Sequence, residues 1–258
     1  MTGDPSIFAT YPSLHGRMVV VTGGANGIGE QIVAHFAGQG SRVAFLDIQD
    51  DAAGRLVERL RDCAVPPLYF HCDVTDSAAL AATISEIGDR FNTIDVLVNN
   101  AGNDTRHATE DVTPEYWDKC IATNLKQQFF ATQAVIPTMK RAGRGSIINL
   151  SSISWLIPGT GLPVYIASKA GVVGLTRTLA HELGRHNIRV NAVLPGAVLT
   201  ERQKRLWFTE EYKAEILHSQ ALKHLIIPEE VARLVLFLAA DDSNAITSQS
   251  HIIDAGWV

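Results

Sequence analysis

Tyr165 and Lys169 stand four residues apart in Tyr165-Ile166-Ala167-Ser168-Lys169, and a serine pair, Ser151-Ser152, lies a short way upstream. Positions i and i+4 share one face of a helix, so an ammonium can sit beside a phenol. A free tyrosine has a pKa of roughly 10 and is a poor base at neutral pH. A neighbouring cation favours the phenolate. The pair is therefore a device for moving a proton. Taken by itself, the same spacing also fits a core tyrosine and a surface lysine on an ordinary helix, and the rest of the chain must decide.

The elements that would position this pair follow a regular alternation. Short apolar runs occur at Met18–Val21, Arg42–Leu46, Leu68–His71, Val96–Val98, Ser146–Leu150, Ile188–Leu194 and His251–Ile253. Their length and Val/Ile content suit strands buried on both faces. Helical patterns lie between them near 28–39, 51–62, 77–90, 114–140, 163–186 and 229–239. Pro114 and Pro228 stand beside acidic residues, as first turns of helices favour. This order predicts an α/β fold: one Rossmann-type doubly wound domain over 1–258, a seven-stranded parallel sheet with helices on both faces. No Gly/Ser linker or internal repeat interrupts it.

The stretch 198–225 departs from the alternation. It is polar, carries Trp207, Phe208 and Tyr212, and follows the sixth strand. Ligands of open α/β sheets bind beyond the carboxyl ends of strands, so a substrate lid is expected here. A surface insertion with no binding role is the alternative.

Bulk properties narrow the class. A hydrophobic fraction of 46% with 19% charged residues fits a well-buried core. A net charge of −5 without a basic stripe argues against nucleic acid as a partner. Asp4, Pro5 and Pro12 fall within the first sixteen residues, which lack the apolar stretch of a secretion signal. No apolar run reaches the ~18 residues of a membrane span. Cys63, Cys72 and Cys120 have no metal-ligand spacing and read as buried thiols of a reducing compartment. No metal is expected, and the cytoplasm is the expected location.

The first strand runs into Thr22-Gly23-Gly24-Ala25-Asn26-Gly27-Ile28-Gly29 and then a helix. Glycines let the backbone approach a pyrophosphate, and the helix N-terminus favours that anion. A glycine cluster alone is weak, but its strand–helix context strengthens it. The second apolar run ends at Asp47, where a carboxylate can accept hydrogen bonds from both ribose hydroxyls of an adenosine. It would repel a 2′-phosphate, and no basic residue occurs in Ile48-Gln49-Asp50. The expected cofactor is NAD rather than NADP. Asp47 could instead cap the next helix, although Asp50 and Asp51 are better placed for that.

Together these motifs resemble the short-chain dehydrogenase/reductase family, from Arg17 to the C-terminus. Thr22 to Gly29 matches its glycine motif, with Gly23, Asn26, Ile28 and Gly29 implied at the cofactor beside Asp47 and Ile48. Asp73-Val74 resembles the pair that contacts adenine. Asn99-Asn100-Ala101-Gly102 resembles the segment after the fourth strand, in which Asn100, Ala101 and Gly102 are the expected contacts and Asn99 a sheet-holding residue. Asn124 matches the family's catalytic asparagine. Ser152 matches the catalytic serine by its 13-residue distance from Tyr165, and strand alternation puts its rival Ser151 on the opposite side. Pro195-Gly196, Val198 and Thr200 resemble the segment against the nicotinamide. The resemblance implies catalysis by Asn124, Ser152, Tyr165 and Lys169, with Tyr165 and Lys169 also touching the cofactor. It further implies that Asn124 anchors a water leading from Lys169 to solvent, and that the protein is a homotetramer. Trp257, at the end of the chain, is expected to contact another subunit.

A narrower similarity, to bacterial NAD-dependent aldose 1-dehydrogenases, rests on Tyr11-Pro12-Ser13-Leu14, Asn103-Asp104 with Arg106-His107, Ser152-Ile153-Ser154-Trp155, Arg202-Gln203 and Ile253-Asp254-Ala255-Gly256-Trp257. It implies oxidation of the anomeric C1 hydroxyl of a D-xylose-, L-arabinose-, D-galactose- or L-fucose-type sugar. Asn103, Asp104, His107, Ser152, Ser154, Trp155, Tyr165, Arg202 and Gln203 are the expected sugar contacts, since a hydroxyl-rich ligand must replace its water hydrogen bonds. A solvated loop with internal salt bridges is the other reading of Asp104, Arg106 and His107. Arg106 or Arg202 could also pair with a carboxylate, which keeps open a sugar-acid or 2-keto-3-deoxy sugar-acid substrate. A 3-oxoacyl reductase and a non-catalytic NAD-sensing protein are the remaining alternatives.

Overall fold

A computed structural model describes residues 8–258; Asp4 and Pro5 lie outside the described residues. Its strands are β1 (Met18–Thr22), β2 (Arg42–Asp47), β3 (Leu68–His71), β4 (Val96–Asn99), β5 (Gly145–Leu150), β6 (Ile188–Pro195) and β7 (Ser250–Ile253). They form one parallel sheet in the order β3-β2-β1-β4-β5-β6-β7. The fold is the expected Rossmann-like α/β sheet.

Alternation along each strand sends successive side chains to opposite faces. Val19, Val21, Val43, Phe45, Val96, Val98 and Ile148 face one side, against α1 (Gly27–Gly38), α2 (Asp50–Arg59) and α9 (Pro228–Ala239). Met18, Val20, Ala44, Leu46, Leu97 and Ile147 face the other, against α3 (Ser77–Phe91), α5 (Gln127–Ala142) and α6 (Pro163–Leu183). Each such fully buried aliphatic or aromatic side chain stabilises the sheet by roughly 1.5–3 kcal/mol relative to exposure. The helix starts follow their local chemistry: Pro114, Pro163 and Pro228 occupy first turns, and the Asp76 carboxylate accepts from Ala78 N and Ala79 N at the head of α3.

Three details refine the expectation. The helix anticipated over 114–140 is α4 (Pro114–Ile121), then a π-helical turn at Ala122–Lys126, then α5. The π turn frees the Cys120 carbonyl, which accepts from Asn124 Nδ2 at 3.0 Å. Second, 198–225 is helical: α7 (Glu201–Leu206) and α8 (Glu210–Ser219), rooted by a parallel bridge between Val198 and Ile226. Third, Trp257 is half-buried against its own chain, beside Ile153, Ala192 and Leu194, rather than presented as a free indole. Among the described residues no helix is long and apolar enough to cross a membrane.

Candidate active site

The strand order reverses between β1 and β4, and the crevice beyond their carboxyl ends is the ligand position of such sheets. The β1 and β4 loops are stitched together there. Asn100 Nδ2 donates to Gly23 O at 2.8 Å and Thr22 O at 3.1 Å, while Thr22 Oγ1 accepts from Asn100 N and Ala101 N. Gly29 cannot be larger: a Cβ would lie 2.0 Å from Gly23 O. Gly23 has a positive φ of 66° and lies against Ala101. Asn26 leaves the head of α1 without a side-chain cap, so the first N–H groups, including that of Ile28, suit an anion.

Asp47 ends β2, 8% exposed, and accepts from Ala25 N, Ile48 N and Gln49 N at 2.8–3.1 Å. It thus ties the glycine loop to the turn before α2 and keeps lone pairs for a ribose. Asp73 turns on Thr75, leaving the head of α3 to Asp76, and Val74 is buried. Gly196 N donates to Ile253 O, and Thr200 caps α7 while lying 3.3 Å from the Cβ position of Gly27. Pro195, Gly196, Val198 and Thr200 therefore close the same cleft. These residues fit a dinucleotide: a glycine cradle that a Cβ would fill, an uncapped helix head and a carboxylate at the ribose position.

Tyr165 and Lys169 lie on α6, with Nζ 5.5 Å from the phenol ring centre. Lys169 is 3% exposed and donates to Leu150 O at 2.9 Å. Ser151 Oγ is spent on Lys169 O at 2.6 Å, whereas the Ser152 hydroxyl accepts from Ser154 N and is close enough to the Tyr165 phenol to pull its pKa down. Geometry separates the two serines as the spacing suggested. Burial lowers Lys169 to about 8, against the favourable charge of Asp104. Burial, followed by Asp104, pushes the Tyr165 phenol up, while Ser152 and Arg202 pull it down. The expected lowering by Lys169 is therefore outweighed in the cofactor-free protein. Desolvation of the buried phenolate is the larger effect.

Asn124 lies in the π turn with both amide atoms engaged: Oδ1 accepts from Asn103 N at 2.8 Å and Nδ2 donates to Asn103 O at 3.1 Å. Its side chain thus holds the β4 loop. Asn99 is fully buried and donates to Asn149 Oδ1, a sheet-holding role.

The rim residues come together, largely on one another. Asp104 accepts from Arg202 Nη1 and Gln203 Nε2. Arg202 also reaches Asn103 Oδ1 at 3.3 Å. Arg106 stacks 4.5 Å from Trp207 and 5.4 Å from Tyr212. The salt bridge of Asp104 therefore crosses to α7 rather than staying within its own loop. His107 stacks on Tyr116, and its backbone N–H donates to Gly161 O. Ser154 Oγ, Trp155 Nε1 and His107 Nε2 are buried without a partner.

Sequence reading missed Gln127 and Gln128, both fully buried. Gln127 donates to Ala101 O, and Gln128 donates to Leu150 O, the carbonyl that takes Lys169. Two adjacent glutamines three and four residues after Asn124, on a helix that must bury a face, were the available signal.

A family model described as "Enoyl-(Acyl carrier protein) reductase" matches residues 23–258. The chain is 50% identical to the D-xylose 1-dehydrogenase of Caulobacter vibrioides over 249 residues, 96% of this chain and 98% of that one. It is 45% identical to "Probable galactose dehydrogenase GalD" of Rhizobium meliloti, covering 95% and 96%. The structure superposes on a short-chain type dehydrogenase/reductase from Mycobacterium marinum with TM-score 0.89 and 31% identity, covering 95% and 97%. These similarities over nearly the whole length establish that the chain belongs to the short-chain dehydrogenase/reductase family of oxidoreductases.

Proposed function

We propose that the protein oxidises the anomeric C1 hydroxyl of an aldose to the aldonolactone, with NAD as cofactor. The sugar reading is carried by three polar atoms, Ser154 Oγ, Trp155 Nε1 and His107 Nε2, buried without partners on segments that flank Ser152 and Tyr165. Such atoms gain a hydrogen bond when a hydroxyl-rich ligand arrives. The similarity to D-xylose 1-dehydrogenase supports the same class. Asn103 joins these contacts, and Asp104, Arg202 and Gln203 border them as the tie to a lid over 198–225 of a single 1–258 domain.

Gly23, Asn26, Ile28 and Gly29 would hold the pyrophosphate, Asp47 and Ile48 the adenosine ribose, and Asp73 and Val74 the adenine. Asn100, Ala101, Gly102, Pro195, Gly196, Val198 and Thr200 would border the nicotinamide half, and Lys169 its ribose. Bound NAD supplies the hydride acceptor and a positive ring charge that favours the phenolate. Tyr165 takes the hydroxyl proton as hydride leaves C1. Ser152 orients the reacting oxygen. Lys169 acts on Tyr165, and Asn124 fixes the loop that passes over them.

A sugar-acid substrate is disfavoured because Arg202 is paired with Asp104 and Arg106 is stacked between Trp207 and Tyr212. The polar rim disfavours a 3-oxoacyl chain. A homotetramer in the cytoplasm completes the reading, and exposed Trp117, Phe129 and Ile252 offer apolar subunit contacts. The test is a panel of neutral aldoses, aldonic acids and 2-keto-3-deoxy acids with NAD and NADP, followed by absorbance of the reduced nicotinamide. Aldose turnover with NAD is expected. Preference for an acid overturns the substrate, faster turnover with NADP overturns the cofactor, and silence throughout restores the NAD-sensing alternative.

A further inference from the structure

We propose that Asp104 controls the proton affinity of Tyr165, and that Arg202 and Gln203 of α7 set the strength of that control by pairing with its carboxylate. The inference rests on Tyr165 being the base of the reading above. Asp104 is placed by the backbone rather than by chance. A Cβ on Gly102 would lie 3.3 Å from Lys169 Nζ and 3.1 Å from Asn124 Oδ1, so the β4 loop passes directly over the lysine. Asn103 is then pinned through both its N–H and its carbonyl by Asn124. Asp104 follows at once, with one carboxylate oxygen on Arg202 and the other on Gln203.

The groups that face Tyr165 come from every side of its helix. Asp104 comes from the β4 loop, Cys120 from α4, Arg202 from α7, Ser152 from the turn after β5, and Lys169 from α6 itself. Burial pushes the Cys120 thiol up, which leaves Asp104 as the full negative charge of this set. A carboxylate there keeps the proton on the phenol and keeps the ammonium on Lys169. Arg202 opposes the first effect, both through its own charge and by neutralising Asp104. Docking of α7 therefore readies the base, and an unpaired Asp104 holds it protonated. Asp104 and Arg202 act through Tyr165 as positioning residues.

The experiment is the pH profile of kcat/KM at saturating cofactor for Asp104→Asn, Arg202→Met and the double variant. It is read with any alcohol the enzyme turns over. An enzyme that ignores aldoses but oxidises another alcohol sinks the sugar reading and leaves this test standing. Removing the negative charge should slide both limbs of the profile to lower pH by about one unit, whereas removing the guanidinium should slide both upward. The double variant should lie between Asp104→Asn and the parent, because it also loses the direct charge of Arg202. Shifts of the same sign in both single variants, or no shift in either, overturn the proposal, because a purely structural latch lowers activity without moving the limbs in opposite directions. Gln203→Met keeps the ion pair and guards against a misfolded Asp104 variant. It should give a smaller upward slide, and its absence or reversal also overturns the inference.

Discussion

Lys169 should cost the cofactor-free protein stability, and replacing it with methionine should reveal how much. The ammonium is 3% exposed, has Leu150 O as its hydrogen-bond acceptor, and lies over no carboxylate of its own. Its displacement from 10.5 to about 8 corresponds to roughly 3 kcal/mol of penalty when it is charged. Methionine removes that penalty, keeps most of the packing, and forfeits the hydrogen bond to Leu150 O, roughly 1–2 kcal/mol. A net gain of about 1–2 kcal/mol raises Tm by roughly 2–6 °C in a domain of this size. The sign with pH follows from the lowered folded-state value. Below pH 8 both states bind the proton and the penalty is complete. Between about 8 and 10.5 the unfolded state binds more protons, so the parent gains stability as pH rises. The advantage of Lys169→Met should therefore be full at pH 7, vanish at about pH 9–10 where the remaining penalty equals the forfeited hydrogen bond, and reverse above that. Calorimetric Tm values of parent and variant at pH 7, 8.5 and 10 measure this. A variant no more stable at pH 7, or one whose advantage grows with pH, refutes the reasoning.

Three further outcomes follow from the same geometry. Tyr165→Phe should lower kcat by at least about 10³-fold while NADH binding, read by fluorescence, stays within a few-fold, since the lost group moves the proton; near-normal turnover would remove Tyr165 from the chemistry. Gly29→Ala places a Cβ 2.0 Å from Gly23 O and 2.6 Å from Asn100 Nδ2, and should destabilise by about 3 kcal/mol with loss of NADH binding. Gly54→Ala, in open space on α2, should instead stabilise by roughly 0.5–1 kcal/mol, and opposite signs in a denaturant titration are the check.

The fold was legible because its signals are local. Short apolar runs bounded by polar turns marked all seven strands, and prolines beside acidic residues marked α4 and α9. The glycine segment, Asp47 and the Ser152–Tyr165–Lys169 spacing likewise sit in contiguous stretches. What stayed hidden depends on contacts between distant residues. Nothing in Ala122–Lys126 distinguishes a π turn from α-helix by composition; the Asn124 side chain that satisfies the freed carbonyl is also the one that holds Asn103. The pairing of Asp104 with Arg202 joins residues 98 apart, so a sequence reading offers both to the sugar when they are occupied with each other. The direction of the Tyr165 shift was misjudged for a related reason. An i,i+4 pattern reports the nearest charge, whereas burial is set by the loops that fold over it.

The Val198–Ile226 bridge gives the excursion that carries α7 and α8 a property the rest of the site lacks. Its two ends are joined independently of what lies between them, so the intervening chain behaves as a closed insert on a finished sheet. Changing the insert's length perturbs mainly loop-closure entropy, and even a doubling costs about 0.6 kcal/mol. The proton-transfer residues reside in the turn after β5, on α6 and in the π turn, outside the insert. Exchange of residues 199–225 between relatives is thus a modular graft that leaves the scaffold's stability in place, provided the residues at 202 and 203 that pair with Asp104 are kept.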